Sequence, residues 1–182
     1  IISGAQVHGY LGGAPHWVRK DKYPTPRTVP DVARQNEEMR AAFLKSVRSS
    51  AHDETLFDAA VEDMLKGRML GPFPSLEGVS AALGTSHYVI SGRFAVVRPG
   101  KTRPCDDARR SGANETSSMT YQLMLINTDT SSNDALFAAE LFPDEEIHIW
   151  KRDQEAAYRQ IPLRREERVL AVIVSCHPVT KK

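Results

Sequence analysis

Cysteine is scarce in this chain of 182 residues: Cys105 and Cys176 are the only two. They form neither a metal-ligand nor a redox spacing, and a reducing compartment is the simplest reading. Long apolar runs are missing as well. The longest, Val169 to Val174, is far too short to span a bilayer, so no membrane segment is expected, and no secretion signal is visible. Net charge is nearly absent, with 24 Lys and Arg against 23 Asp and Glu. No global field therefore marks a nucleic-acid binder, and any basic surface must be local. GxSxG and HExxH do not occur, and the six histidines are scattered. Gly100-Lys101-Thr102 ends like a phosphate-binding P-loop, but Ala95 stands where the first glycine is required, and strand signals rather than a helix flank the lysine.

What is present is a globular composition, 41% hydrophobic and 26% charged, sufficient for one ordinary domain or two small lobes. The first residue is Ile, and the last strand-like run stops almost at the end of the chain, so a piece of a longer protein is expected. Residues 1–30 are rich in Gly and Pro with little periodicity and read as irregular or linker. Residues 31–48 read as a helix capped by Asp31, with a thin apolar face of Val32, Met39, Phe43 and Val47. Asp53 opens a better helix with the stripe Leu56, Phe57, Ala60, Val61, Met64 and Leu65, and Gly67 suits its C-terminal cap. Leu76 to Leu83 reads as one more short helix.

A β-hairpin follows. Tyr88 to Ile90 and Arg93 to Arg98 are β-rich with Gly92 between or beside them, Pro99-Gly100 is a turn dipeptide, and Lys101 to Cys105 returns. Residues 109–134 read mostly as loop, with a short element at Tyr121 to Ile126. Ala135 to Leu141 reads as a helix stopped by Pro143. Ile147 to Trp150 alternates as a strand and runs into Asp153, after which Ala156, Ala157 and Tyr158 favour a helical turn ended by Pro162. Arg168 to Ser175 is apolar on both sides and is expected as a central strand, pairing antiparallel with 147–152. The fold class is thus α+β.

Two stretches could carry chemistry. Between Arg98 and Asn114, five cations (Arg98, Lys101, Arg103, Arg109, Arg110) oppose only Asp106 and Asp107. Cations at a hairpin tip suit gripping phosphates, although on composition alone a solvated charged turn is the commoner case. Asp153 lies where a strand gives way to a turn, a good place to hold a metal ion; a surface or capping carboxylate is the commoner use of such a residue, and Tyr158 would more often be core than substrate-facing.

Taken together, the two stretches resemble the opening motifs of a reverse transcriptase. One is the fingers hairpin pattern strand, turn, K-x-R-P-x-x-D-x-R and then N, read here as Lys101, Arg103, Pro104, Asp107, Arg109 and Asn114. The other is a strand, an Asp and A-Y-x-Q-I-P-L, read here as Asp153, Ala157, Tyr158, Gln160, Ile161, Pro162 and Leu163. RFAVVRPGKTRPCDD and the preceding KGRMLGPF resemble retroelement enzymes of the tyrosine-recombinase retrotransposon type. The resemblance covers residues 60 to 175. It implies the fingers of a right-hand polymerase, a β-hairpin plus helices, and the truncated beginning of an antiparallel palm sheet. The corresponding divisions are an N-terminal extension at 1–50, a fingers region at 51–146 and the first part of the palm at 147–182.

The resemblance also implies roles. Asp153 would bind both Mg2+ ions of a two-metal phosphoryl transfer, with the carbonyl of Gln154 helping one of them. Lys101 and Arg103 would close over the triphosphate of an incoming dNTP. Tyr158 would sit beneath the sugar and disfavour a 2′-hydroxyl. Asp107 and Arg109 would brace the fingers and approach the template. The implied partners are an RNA or DNA template with its primer, a dNTP, and the downstream palm and thumb; the implied location is intracellular, in cytoplasm or nucleus. The family's second acidic motif, Tyr-x-Asp-Asp, is not here: no aspartate follows Asp153. A single acidic ligand should hold magnesium poorly, so this chain alone is expected to be inactive. Its rivals are a non-catalytic nucleic-acid-binding remnant and an unrelated α+β interaction domain.

Overall fold

The computed structural model describes residues 4–124, 128–148 and 160–180. Among these the chain is α+β. In order it forms β1 (Gly9–Leu11), α1 (Val29–Ser46), α2 (Asp53–Leu65), α3 (Leu76–Leu83), β2 (Ile90–Arg98), β3 (Lys101–Asp106), β4 (Ser117–Met119), α4 (Thr128–Leu141) and β5 (Val172–Val174). Two 3-10 turns, Ala113–Thr116 and Arg165–Leu170, precede β4 and β5. One sheet has the order β3-β2-β5, with β2 antiparallel to β3 and parallel to β5; β1 and β4 pair in parallel as a separate ribbon.

Helix α1 starts earlier than the sequence suggests. Thr28, not Asp31, is the N-cap: its hydroxyl oxygen accepts the Asp31 amide at 3.2 Å and its hydroxyl donates to the Asp31 carboxylate at 2.6 Å. Pro30 fits the first turn, where its missing N–H would have had no helical partner. The buried face is built from Val32 and Ala33, at 1% and 2% exposure, and continues through Asn36 and Arg40, while Met39 is exposed. Helix α2 ends as its Gly67 foretold. With φ of 69° at Gly67, the Gly67 amide bonds the Met64 carbonyl and the Arg68 amide bonds the Asp63 carbonyl, a Schellman closure.

The core lies where α1 meets the start of β2. Val32, Ala33, Val89 and Leu170 form its buried centre, with Val7, Val29, Ala113 and Val169 packed around it. Tyr88, Val89 and Ile90 are fully enclosed. Arg40 lies 4.2 Å over the Tyr88 ring and donates to the Tyr88 carbonyl at 3.0 Å, so a cation on the inward face of α1 is neutralised by a ring face and a backbone oxygen.

Three expectations change. Residues 4–27 are not a linker: they are tied by backbone hydrogen bonds to two distant segments. Ala5 bridges to Leu163, β1 pairs with β4, and Arg19 bridges to Tyr121. Strand β5 covers only Val172–Val174 and is the last strand in its described sheet rather than a central one. The apolar run before it joins the core from a 3-10 turn, because Glu167 is drawn inward toward the N-terminal segment. Helix α4 begins at Thr128, seven residues before Ala135, on a polar stretch whose composition offered no periodicity. Ile147 and His148 are in neither strand nor helix; the rest of the strand expected to end at Trp150, the helical turn near Ala157 and the pairing with 168–175 lie outside the described residues.

Candidate functional site

The β2–β3 hairpin places the first set of candidate residues. Its register pairs Arg98 with Lys101, Val96 with Arg103 and Phe94 with Cys105 across a turn in which Gly100 takes φ of 72°. Pro99-Gly100 therefore closes the strands with the positive φ that this turn needs. Directly opposed residues share a face, so Arg98, Lys101 and Arg103 project together, and all three are exposed. The opposite face carries Val97, Ala95 and Arg93 against Thr102, Pro104 and Asp106. There Arg93, its side chain 1% exposed, makes a two-pronged ion pair with Asp106 at 2.7 and 3.1 Å. One face of the hairpin is thus anchored by a paired charge and the other presents cations.

Those cations are not arranged for stability. Arg98 and Lys101 are directly opposite, and like charges in that position are destabilising. Neither they nor Arg103 or Arg109 makes an ion pair with a described residue. A surface of this kind suits a polyanion, which would supply the missing negative charge.

After β3 the chain turns sharply. Asp107 donates its amide to the Gly92 carbonyl at 2.8 Å, and its carboxylate accepts the Arg110 amide at 3.0 Å, so Asp107 holds the turn that displays Arg109 and Arg110. Arg110 reaches back to α1, donating to the Ser46 hydroxyl at 2.7 Å, with its guanidinium 5.1 Å from the Phe43 ring centre. Arg109 is exposed and lines an open groove of about 230 Å³ between α1 and this loop, together with Arg27, Asn36, Met39 and Phe43. Asn114 donates its amide to the Ala108 carbonyl at 3.1 Å and leaves its side chain exposed.

Sequence reasoning missed the residue that organises this region. Asn36, in the middle of α1, accepts the Ile90 amide at 2.9 Å and donates to the carbonyls of Ile90 at 3.3 Å and Ser111 at 3.5 Å. It therefore joins α1 to both the entry of β2 and the loop that holds Arg109. A buried hydroxyl pair, Ser91 to Ser111 at 2.8 Å, adds a second tie. The available signal was a polar residue one turn after Val32 on the buried helix face.

The second set, Asp153, Gln154 and Tyr158, lies outside the described residues. Of the first set, Lys101 and Arg103 share the open hairpin face, and Asp107 and Arg109 lie in the loop at the hairpin's base. Among the described residues, no group of three or more His, Cys, Asp or Glu side chains could hold a metal ion, and no helix is long and apolar enough to cross a membrane. No family model, curated protein or solved structure matches the chain.

Proposed function

We propose that the chain is the fingers and first palm segment of a retroelement reverse transcriptase, and that the full-length parent copies RNA into DNA from dNTPs. The observation that carries this reading is the exposed cationic face of the β2–β3 hairpin, where Arg98, Lys101 and Arg103 stand together without a described carboxylate partner. On this reading Lys101 and Arg103 grip the triphosphate through charge-assisted hydrogen bonds, and Arg109, displayed by the Asp107 turn, meets the template strand. Tyr158 selects the deoxy sugar. Primer, template and dNTP are the partners.

Magnesium would be held by Asp153 and Gln154. One carboxylate and one carbonyl are too few donors for a tight site. A second reading, a nucleic-acid-binding remnant without catalysis, draws on the same cationic face, which needs no metal to bind a phosphate backbone.

Primer extension separates the two. The purified chain should show no magnesium-dependent synthesis; robust synthesis would overturn the fragment assignment. In the full-length parent, Asp153→Asn should abolish synthesis. Retained activity there would show that the wrong carboxylate has been assigned.

A further inference from the structure

Glu167 is a carboxylate at 1% exposure whose side-chain partners lie far away in sequence. One oxygen accepts the Val7 amide at 3.2 Å and the other lies 2.8 Å from Nδ1 of His8. A buried carboxylate is retained at such a cost only with its lone pairs met, and both partners come from the N-terminal segment. That segment also pairs by backbone with the end of the Asp153 motif and the residue that follows it. The Ala5 amide donates to the Pro162 carbonyl at 2.7 Å, and the Arg164 amide donates to the Ala5 carbonyl at 3.3 Å. The Arg164 guanidinium adds a bond to the Gly4 carbonyl at 3.4 Å. The fit at Gly4 is close: with φ of 82°, a Cβ there would stand 2.6 Å from the Arg164 amide nitrogen. Beyond Val7, which packs on the core, β1 pairs with β4, the strand that follows the hairpin loop.

We infer that Glu167 is a positioning residue: it clips the N-terminal segment onto residues 162–164 and so fixes the end of the Asp153-bearing stretch relative to the cationic hairpin. The inference rests on the polymerase reading for its purpose, but the clip itself is a property of this chain. Residues 4–11 act as a strap with three attachments: Pro162 and Arg164 at one end, Glu167 and the core at Val7 and His8 in the middle, and β4 at the other end.

The test is amide hydrogen exchange on the purified 182-residue chain, comparing wild type with Glu167→Ala, Glu167→Gln and Gly4→Ala. Glu167→Ala should raise exchange at Ala5 and Arg164 by about tenfold or more while the β2–β3 amides keep their protection, because a clip opens locally. Glu167→Gln should restore most of the protection, since its amide can still accept from Val7 and donate to His8. Gly4→Ala breaks the clip from the other side and should reproduce the same local pattern, which covers the case in which Glu167→Ala fails to fold. Unchanged exchange at Ala5 and Arg164, or a uniform rise across all amides, would overturn the inference. Exchange on this chain alone decides the clip, while the polymerase reading stands or falls separately on primer extension by the full-length parent.

Discussion

The β2–β3 hairpin and the N-terminal strap are both held largely by backbone hydrogen bonds, yet they differ in where those bonds come from. The hairpin joins neighbours: Arg98 meets Lys101 across a two-residue turn, and the furthest pair in its ladder is Arg93 with Asp106. The strap joins strangers: Val7 meets Glu167 across 160 residues, and β1 meets β4 across more than half the chain. A local element is specified by its own turn chemistry and alternation. A non-local one depends on loop closure, whose entropy must be offset by burial at the far end, here Val7 in the core and Glu167 beneath it.

The comparison can be broken most severely at the ion pair that anchors the hairpin. Asp106→Ala leaves the Arg93 guanidinium buried without its counter-charge and should destabilise the chain by about 3 kcal/mol in denaturant melts. A loss below 1 kcal/mol would mean that the guanidinium finds water instead. Next in size is Asn36→Ala, which removes the link between α1 and the hairpin base and leaves the Ile90 amide unpaired. It should cost about 2 kcal/mol, with faster exchange at Ile90 as the local signature. Asn36→Asp, which keeps the acceptor but loses the donor to the Ile90 and Ser111 carbonyls, should fall between.

How legible each region was follows from the same contrast. The helix at 53–65 with its glycine cap, the short helix at 76–83 and the hairpin were all readable, because apolar spacing, Gly67 and Pro99-Gly100 lie within the elements they define. Helix α1 was half readable. Its inward face uses Asn36 and Arg40, whose polar ends are met by backbone carbonyls of β2 and its approach, so the apolar stripe looked thinner than the buried face is. The strap was not readable. Gly9, Gly12, Gly13 and the prolines signalled irregular chain, and nothing local to residues 4–11 points at Glu167. The stretch at 165–170 failed for a related reason: an apolar run fits a strand or a buried turn, and only the inward Glu167 distinguishes them. Of the candidate site, the charge excess at 98–110 was visible in composition. Its division into one face carrying Arg98, Lys101 and Arg103 and an opposite face carrying the Arg93–Asp106 pair needed the strand register.

The smallest stability effect belongs to the residues with the largest proposed role. Lys101 and Arg103 are exposed and make no described ion pair, so replacing both with alanine should leave the melt within about 0.5 kcal/mol of wild type. Binding should behave differently. The decisive measurement is the affinity for dGTP of wild type and of the Lys101→Ala, Arg103→Ala double variant. If the hairpin face grips the triphosphate, the double variant should bind about tenfold or more weakly, since a hydrogen bond to a charged group contributes about 1.5–3 kcal/mol. An unchanged affinity with an unchanged melt would contradict the account, because the cationic face would then be an ordinary solvated turn.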